Sequence, residues 1–257
     1  MSEPFVEVTR TGAAAVITFR REAKLNALST AVEAQLGEAL EHPDVRTAPV
    51  VVITGGPRAF SAGADVNEMG DMDPAAILAY YRQTGDVYER VARMPQPTIA
   101  AISGYCIGGG FELALATDFR VADASAVFGL PEVAIGILPS SGGTLRLVRM
   151  LGTARAKELI LIGDRFGAAR AHALGIVTEV AEASLVGALA LAERLAAQPP
   201  LAVSVAKQVI DATPDASAEA ALALERLAYG MLGQTREHGA ATSEFTRTRA
   251  SSARPPA

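Results

Sequence analysis

PTIAAISGYCIGGGFELALATD, residues 97–118, decides the architecture. TIAAIS reads as a strand, GYCIGGG as a turn and FELALATD as a short helix, so strand, turn and helix follow within one segment. Three adjacent glycines, Gly108, Gly109 and Gly110, carry a large conformational entropy cost, and the chain should need something in return. They sit where a helix begins, and unsatisfied N–H groups and the helix dipole favour negative charge there. Glu112 follows among Phe111, Leu113 and Leu115. An acid in the first helical turn is ordinary, so a plain tight turn and a ligand-facing turn both stand on this segment alone.

Apolar β-branched runs extend the pattern in both directions: AVITF at 15–19, VVVIT at 50–54, FRVAD at 119–123 and GIVTEV at 175–180. Helical patterns lie between them. TAVEAQLGEAL (30–40) places Val32, Leu36 and Leu40 four apart behind a cap at Ser29 or Thr30. Pro74 to Met94 predicts a longer helix, with Pro74 in its first turn and Asp71 or Asp73 as cap. Strands alternating with helices argue for an α/β core over 1–183. From Ser184 the pattern is helical, broken at Pro199-Pro200 and Pro214, which predicts a helical C-terminal subdomain over 184–246. The end, 247–257, with its small residues and prolines, reads as a disordered tail.

Two further segments carry chemistry. FSAGAD (60–65) follows the strand VVVIT and a glycine loop. It lacks the Lys-Ser or Lys-Thr of a phosphate loop, and Ala59 stands where a hydrolase nucleophile elbow has glycine, so Ser61 is a weak nucleophile candidate. FGLPEVAIGILPSSGGTLRL (128–147) holds Glu132 in an apolar run, with no cation before Arg146. A lone glutamate is most often solvent-facing, whereas one in an apolar pocket has a perturbed pKa. Glu112 and Glu132 together would supply an acid and a base.

Composition narrows the classes. Of 257 residues, 28 are acidic and 23 basic, a formal net charge of −5 without a block of like charge, which argues against nucleic acid and anionic membranes as partners. One cysteine, Cys106, excludes an internal disulfide, and three scattered histidines offer no metal-ligand spacing. No dinucleotide fingerprint occurs, so neither a metal nor a cofactor is expected. MSEPFVEVTR does not read as a signal peptide. The longest uncharged run, Met94 to Phe111, is punctuated by prolines and glycines, unlike a membrane span. A soluble, cytoplasmic protein is the expectation.

The segments KLNAL (24–28), GGPRAFSAGAD (55–65), PTIAAISGYCIGGGFELALATD (97–118) and FGLPEVAIGILPSSGGTLRL (128–147) resemble, in this order, the crotonase superfamily, the enoyl-CoA hydratase/isomerase family, and most of all its hydratases. The resemblance runs from about Val6 to about Gly175 and more loosely beyond. It implies a β-β-α spiral core with a C-terminal helical region, assembled as trimers or as hexamers. It implies an acyl-CoA thioester as substrate, CoA being part of that substrate. It places an oxyanion hole at the backbone N–H groups of Ala64 and Gly109, and the two hydratase glutamates at Glu112 and Glu132. By the same resemblance Glu112 holds and deprotonates a water and Glu132 supplies the proton. Lys24 and Arg58 become candidates for the CoA phosphates, against a reading as solvated surface cations. The stretch from Ala62 through Ala64 to Asp65 becomes the candidate for adenine contacts through its backbone.

The chain departs from the family pattern at Pro139-Ser140-Ser141, where Pro-Gly is usual. The N–H expected to help hold the water is then that of Ser140. Asn67 stands where lysine is common, and REHGAATSEFTRTRA (236–250) matches the family ending only loosely. Three other readings remain open at this point: double-bond isomerisation at the same hole, a catalytically silent acyl-CoA-binding relative, and a Ser61 hydrolase.

Overall fold

The computed structural model describes residues 4–69 and 73–243. The β-branched runs become a six-stranded sheet in the order β1 (Val6–Thr11), β2 (Ala14–Phe19), β3 (Val50–Thr54), β5 (Thr98–Ile102), β7 (Phe119–Ala122), β10 (Glu179–Val180). Apart from the β1–β2 hairpin, neighbouring strands run parallel. A second sheet has the order β4 (Ala59–Ser61), β6 (Tyr105–Ile107), β8 (Val127–Gly129), β9 (Phe166–Gly167).

Side chains of the central strands alternate between two cores, as the two-residue period of a strand requires. Ala14, Val16, Val50, Val52, Ile99 and Ala101 face one cluster. Ala15, Ile17, Val51, Ile53, Ala100 and Ile102 face the other. The second, larger core takes in α1 (Thr30–Ala39), α2 (Pro43–Thr47), α4 (Pro74–Ala92) and α5 (Gly109–Ala116), with the short α3 (Val66–Met69) between α2 and α4 in chain order. It also holds Phe111, Phe128 and Phe166, with ring centroids 5.4 Å apart for Phe111–Phe128 and 5.7 Å for Phe128–Phe166.

The predicted caps form at Ser29, whose hydroxyl accepts from the Val32 N–H, and at Asp73, whose carboxylate accepts from the Ala76 N–H. Asp71, the alternative cap, lies outside the described residues. Beyond β8 come α6 (Gly143–Lys157), α7 (Ala168–Ala173), α8 (Ser184–Ala196), α9 (Pro200–Ala212) and α10 (Ala218–Leu232).

Three expectations need correction. GYCIGGG is not a turn throughout: Tyr105–Ile107 pairs with β4 and β8 on either side as a strand, and only the glycines turn. GIVTEV is a strand only at Glu179–Val180. Its first half ends α7 instead, because the Ile176 and Val177 N–H groups both donate to the Ala171 carbonyl. The boundary also moves. The chain forms two compact units dividing between Ala197 and Gln198, so α8 belongs with the sheets and not with a unit beginning at 184. The reason is α8's own apolar stripe: Ala188, Leu191 and Ala192 are buried against Ala14, Val16, Val50 and Val52. The second unit contains α9 and α10, which pack on each other. The expected disordered tail, 247–257, lies outside the described residues. Among the described residues no helix is long and apolar enough to cross a membrane.

Candidate active site

The glycine run now shows its use. Gly108 has φ +55°, and α5 starts immediately after it, with the Glu112 N–H donating to the Gly108 carbonyl at 2.9 Å as the first helical bond. The Gly109 N–H therefore precedes the intrahelical ladder and stays available. The FSAGAD loop lies directly against this turn. Gly63 has φ +94°, and a Cβ there would sit 3.3 Å from the Gly109 nitrogen and 2.9 Å from the Ile107 carbonyl oxygen.

KLNAL holds that loop in place. Leu25 and Asn26 adopt left-handed φ of 50° and 52°. Their turn lets the Leu25 carbonyl accept from the Ala62 N–H at 2.9 Å, and lets Leu28 bond to Gly63 and Asp65 on either side of Ala64. The Gly63 N–H donates to the Ser61 hydroxyl at 3.1 Å. Of the N–H groups from Ala62 to Asp65, only that of Ala64 has no acceptor among the described residues. A Cβ on Gly109 would lie 3.7 Å from the Ala64 nitrogen, so two unused donors stand side by side. That pair fits a developing oxyanion.

Glu112 is buried, 3% exposed, and is oriented from a distant segment. Its Oε1 accepts from the Ser141 N–H at 2.8 Å and the Gly143 N–H at 2.9 Å. Gly143 opens α6, so the carboxylate also lies at the positive end of that helix. A Cβ on Gly143 would come within 2.7 Å of Glu112 Cγ, so only glycine fits beneath it. Arg146 fixes the loop by donating to the Ser141 carbonyl at 2.9 Å while pairing with Glu89 on α4. Burial pushes the Glu112 carboxyl up from its ordinary range, and the bonds from Gly143 and Ser141 pull against that rise.

Glu132 opens a 3-10 turn, Glu132–Ile135, just after β8. Its Oε1 faces the glycine turn, 3.2 Å from where a Gly108 Cβ would be. Its Oε2 is buried with no hydrogen-bond partner among the described residues. Burial, with a smaller contribution from the charge of Glu112, raises this carboxyl to about 7. The two glutamates thus differ as an acid–base pair must: one held as an acceptor by N–H groups, the other favouring its proton.

This has a measurable consequence. Because the folded-state pKa of Glu132 lies above its ordinary value of 4.5, the folded protein retains a proton there that the unfolded chain has lost. The resulting stability is complete below about 4.5 and is lost as pH rises through about 7. Glu132→Gln is therefore expected to melt a few degrees above the parent protein at pH 8, with the gain vanishing near pH 4. Melting curves of both proteins across that range check it, and a gain independent of pH contradicts it.

One cavity of about 110 Å³ joins these parts: Ala64, Gly109, Glu112 and Glu132 all line it, with Ala62 and Ser140. Ser140 contributes to its wall, while Ser141 and Gly143, which the sequence did not single out for Glu112, provide the bonds. Asp65 does not line the cavity, and its carboxylate is paired with Arg21 at 2.8 Å. Lys24 and Arg58 are exposed and also lie outside the lining. Ser61 is fully buried beneath Gly110, its hydroxyl occupied by Gly63, and no histidine lines the cavity. A hydrolase built on Ser61 lacks both access and a base. Glu33, Tyr80 and Tyr88 line the same cavity and were not expected there.

Fold and site together define an α/β framework with two backbone donors and two glutamates at one cavity, and the comparisons supply its family. The family model Enoyl-CoA hydratase/isomerase matches residues 9–252, and the chain belongs to that family. It is 39% identical over 245 residues to the 2,3-dehydroadipyl-CoA hydratase of Escherichia coli K12, covering 94% of this chain and 95% of that protein. It is 34% identical over 251 residues to the short-chain-enoyl-CoA hydratase of Clostridium acetobutylicum, covering 95% of each. The crystal structure of an enoyl-CoA hydratase from Bacillus anthracis superposes with a TM-score of 0.88 at 36% identity, covering 95% of this chain and 96% of that one. The crotonase-type α/β fold expected from the motifs is the fold observed.

Proposed function

We propose that this protein adds water across the double bond of a 2-trans-enoyl-CoA, giving the 3-hydroxyacyl-CoA. The observation that carries the proposal is the pair Glu112 and Glu132, one bonded by backbone N–H groups and one with an unpartnered oxygen, lining one cavity with Ala64 and Gly109. The thioester oxygen accepts from those two donors. Glu112, positioned by Ser141 and Gly143, takes a proton from a water as its oxygen bonds to C3. Electron density moves through C2 onto the thioester oxygen, where the two N–H groups stabilise it, and Glu132 delivers a proton to C2. The atoms balance without a metal or a redox cofactor, so none is required. Lys24 and Arg58 hold the CoA phosphates as exposed cations, and the Ala62–Asp65 backbone contacts the adenine.

The test is loss of the conjugated enoyl-thioester absorbance on a panel of enoyl-CoAs of increasing length, in buffer containing EDTA. Turnover is expected on at least one of them. Turnover of none, with saturated acyl-CoA still bound, identifies a silent binding protein instead, and restoration by a divalent metal overturns the mechanism. Because Glu132 must be protonated and Glu112 ionised, kcat/KM is expected to fall on both sides of an optimum, with the alkaline limb set by Glu132 near 7.

The working form we propose is a cytoplasmic homotrimer or a hexamer of two such trimers. Exposed apolar side chains support it, among them Ile135 at 66%, Ile162 at 66% and Val186 at 67% exposure. Light scattering at micromolar concentration is expected to give a trimer or hexamer mass, and a monomer mass rules it out.

A further inference from the structure

The cavity has a second polar end that the hydration mechanism does not use. Its outer wall is apolar, formed by Ile107, Pro131, Ile135, Ile137 and Leu138. Its inner wall carries Glu33 from α1 and Tyr80 and Tyr88 from α4, exposed by only 3%, 7% and 0%. Glu33 follows Val32 and precedes Leu36 on the buried side of α1, where an aliphatic residue would cost less to bury. Tyr80 is anchored, its hydroxyl donating to the Leu28 carbonyl at 3.5 Å. The Tyr88 hydroxyl, by contrast, is buried and has no hydrogen-bond partner among the described residues. It lies 3.4 Å from the position a Gly109 Cβ would take, so a thioester oxygen held by the Gly109 and Ala64 N–H groups would bring the neighbouring part of its acyl chain close to it. An apolar chain placed there leaves this hydroxyl unsatisfied, a cost the protein would escape with phenylalanine.

We propose that Tyr88 and Glu33 form a subsite selecting a 2-enoyl thioester whose short acyl chain carries a hydroxyl group, and disfavouring a chain that carries a carboxylate. The substrate hydroxyl accepts from the Tyr88 O–H and donates to the Glu33 carboxylate, which has acceptor sites for more than one bond. Burial, then the charges of Glu33 and Glu112, push Tyr88 well up from its ordinary value, so its hydroxyl keeps its proton and donates. A carboxylate in the same place meets Glu33, and among the described residues no lysine, arginine or histidine lines the cavity to offset the repulsion. This inference rests on the proposed hydratase function for the identity of the thioester, but not for the preference itself.

The experiment therefore has two arms. In the first, kcat/KM is measured for a length-matched series: an alkyl 2-enoyl-CoA, its analogues hydroxylated at C4, C5 or C6, and its ω-carboxylate. The best hydroxylated member is expected to exceed the alkyl one by about tenfold or more, the worth of one buried hydrogen bond. Tyr88→Phe is expected to bring that ratio close to one, and Glu33→Gln to raise the carboxylate relative to the alkyl chain by a similar factor. In the second arm, calorimetry ranks the corresponding saturated acyl-CoAs on the same three proteins, and the same order is expected without any chemistry. If the parent protein turns over no enoyl-CoA, the hydratase function falls while calorimetry still judges the subsite. Alkyl and hydroxylated ligands bound within twofold of each other by the parent protein overturn the subsite, as does a preference that Tyr88→Phe leaves intact at an unchanged melting temperature.

Discussion

Glu112→Gln and Glu132→Gln each lower kcat on an enoyl-CoA by about 10²–10⁴, the worth of a positioned general acid or base. Glutamine keeps the size and reach of each side chain but can neither take nor deliver the proton. The losses have different structural settings. At Glu112 the acceptor is already held by the Ser141 and Gly143 N–H groups, and an amide oxygen keeps those bonds while the basic oxygen disappears. At Glu132 one oxygen has no partner and the carboxyl is raised to about 7, so on the proposed mechanism the variant loses the alkaline limb together with the rate. Binding of a saturated acyl-CoA should change little, since backbone N–H groups hold the thioester. On the proposed mechanism the two residues serve one addition, Glu112 at the water and Glu132 at C2, so the double variant is expected to lose less than the product of the single losses. Near-full hydratase activity in Glu132→Gln defeats the two-glutamate mechanism. Isomerase activity persisting there points to double-bond migration with Glu112 as sole base.

What was legible in the chain follows from which interactions are local. VVVIT and TIAAI announce themselves because β-branched residues buried on both faces have few other places to go. The glycines at 108–110 mark a close approach of backbone because nothing else justifies their entropy. Tertiary pairing is not local, and there the pattern misled. Tyr105–Ile107 became a strand because β4 and β8 lie on either side of it, and the first half of GIVTEV closed α7 because Ala171 supplied an acceptor. The helical pattern from Ser184 was visible, but not that its first helix, α8, packs with the sheets while α9 and α10 form a unit of their own.

The site divides along the same line. Glu112 and Glu132 stand out as acids in apolar runs, whereas their supports lie far along the chain. Ser141 and Gly143 reach Glu112 across 29 and 31 residues, and no spacing rule connects them. KLNAL supplied the resemblance, yet the role it plays for the site is mechanical: its left-handed turn clamps the Ala62–Asp65 loop and leaves one N–H unused. Glu33 carried no signal in the sequence, because its burial comes from the way α1 packs. Tyr88 carried none either, since its unpartnered hydroxyl is a fact of tertiary packing.

The larger test of that clamped loop is Gly63→Ala, which is expected to lower kcat by about 10²–10³, as losing an oxyanion donor does. The reasoning is steric. At φ +94° a Cβ would sit 2.9 Å from the Ile107 carbonyl oxygen, 3.3 Å from the Gly109 nitrogen and 3.5 Å from the Gly108 Cα. All three are backbone atoms of the turn that carries the second donor, so no side chain can swing aside to make room. The methyl group must push the Ala64 and Gly109 segments apart, and a displacement of about 1 Å at a reacting centre costs about 10²-fold. The left-handed φ adds about 1–2 kcal/mol of strain to any residue with a Cβ, so the variant also melts lower. Gly175→Ala separates the two effects: its φ is +79°, but nothing lies within 4 Å of the added carbon. That control is expected to lose comparable stability and keep its rate. If Gly63→Ala kept near-parental kcat while folded, the paired backbone N–H groups would not be what stabilises the transition state, and the hydration chemistry would have to find its oxyanion donor elsewhere in the cavity.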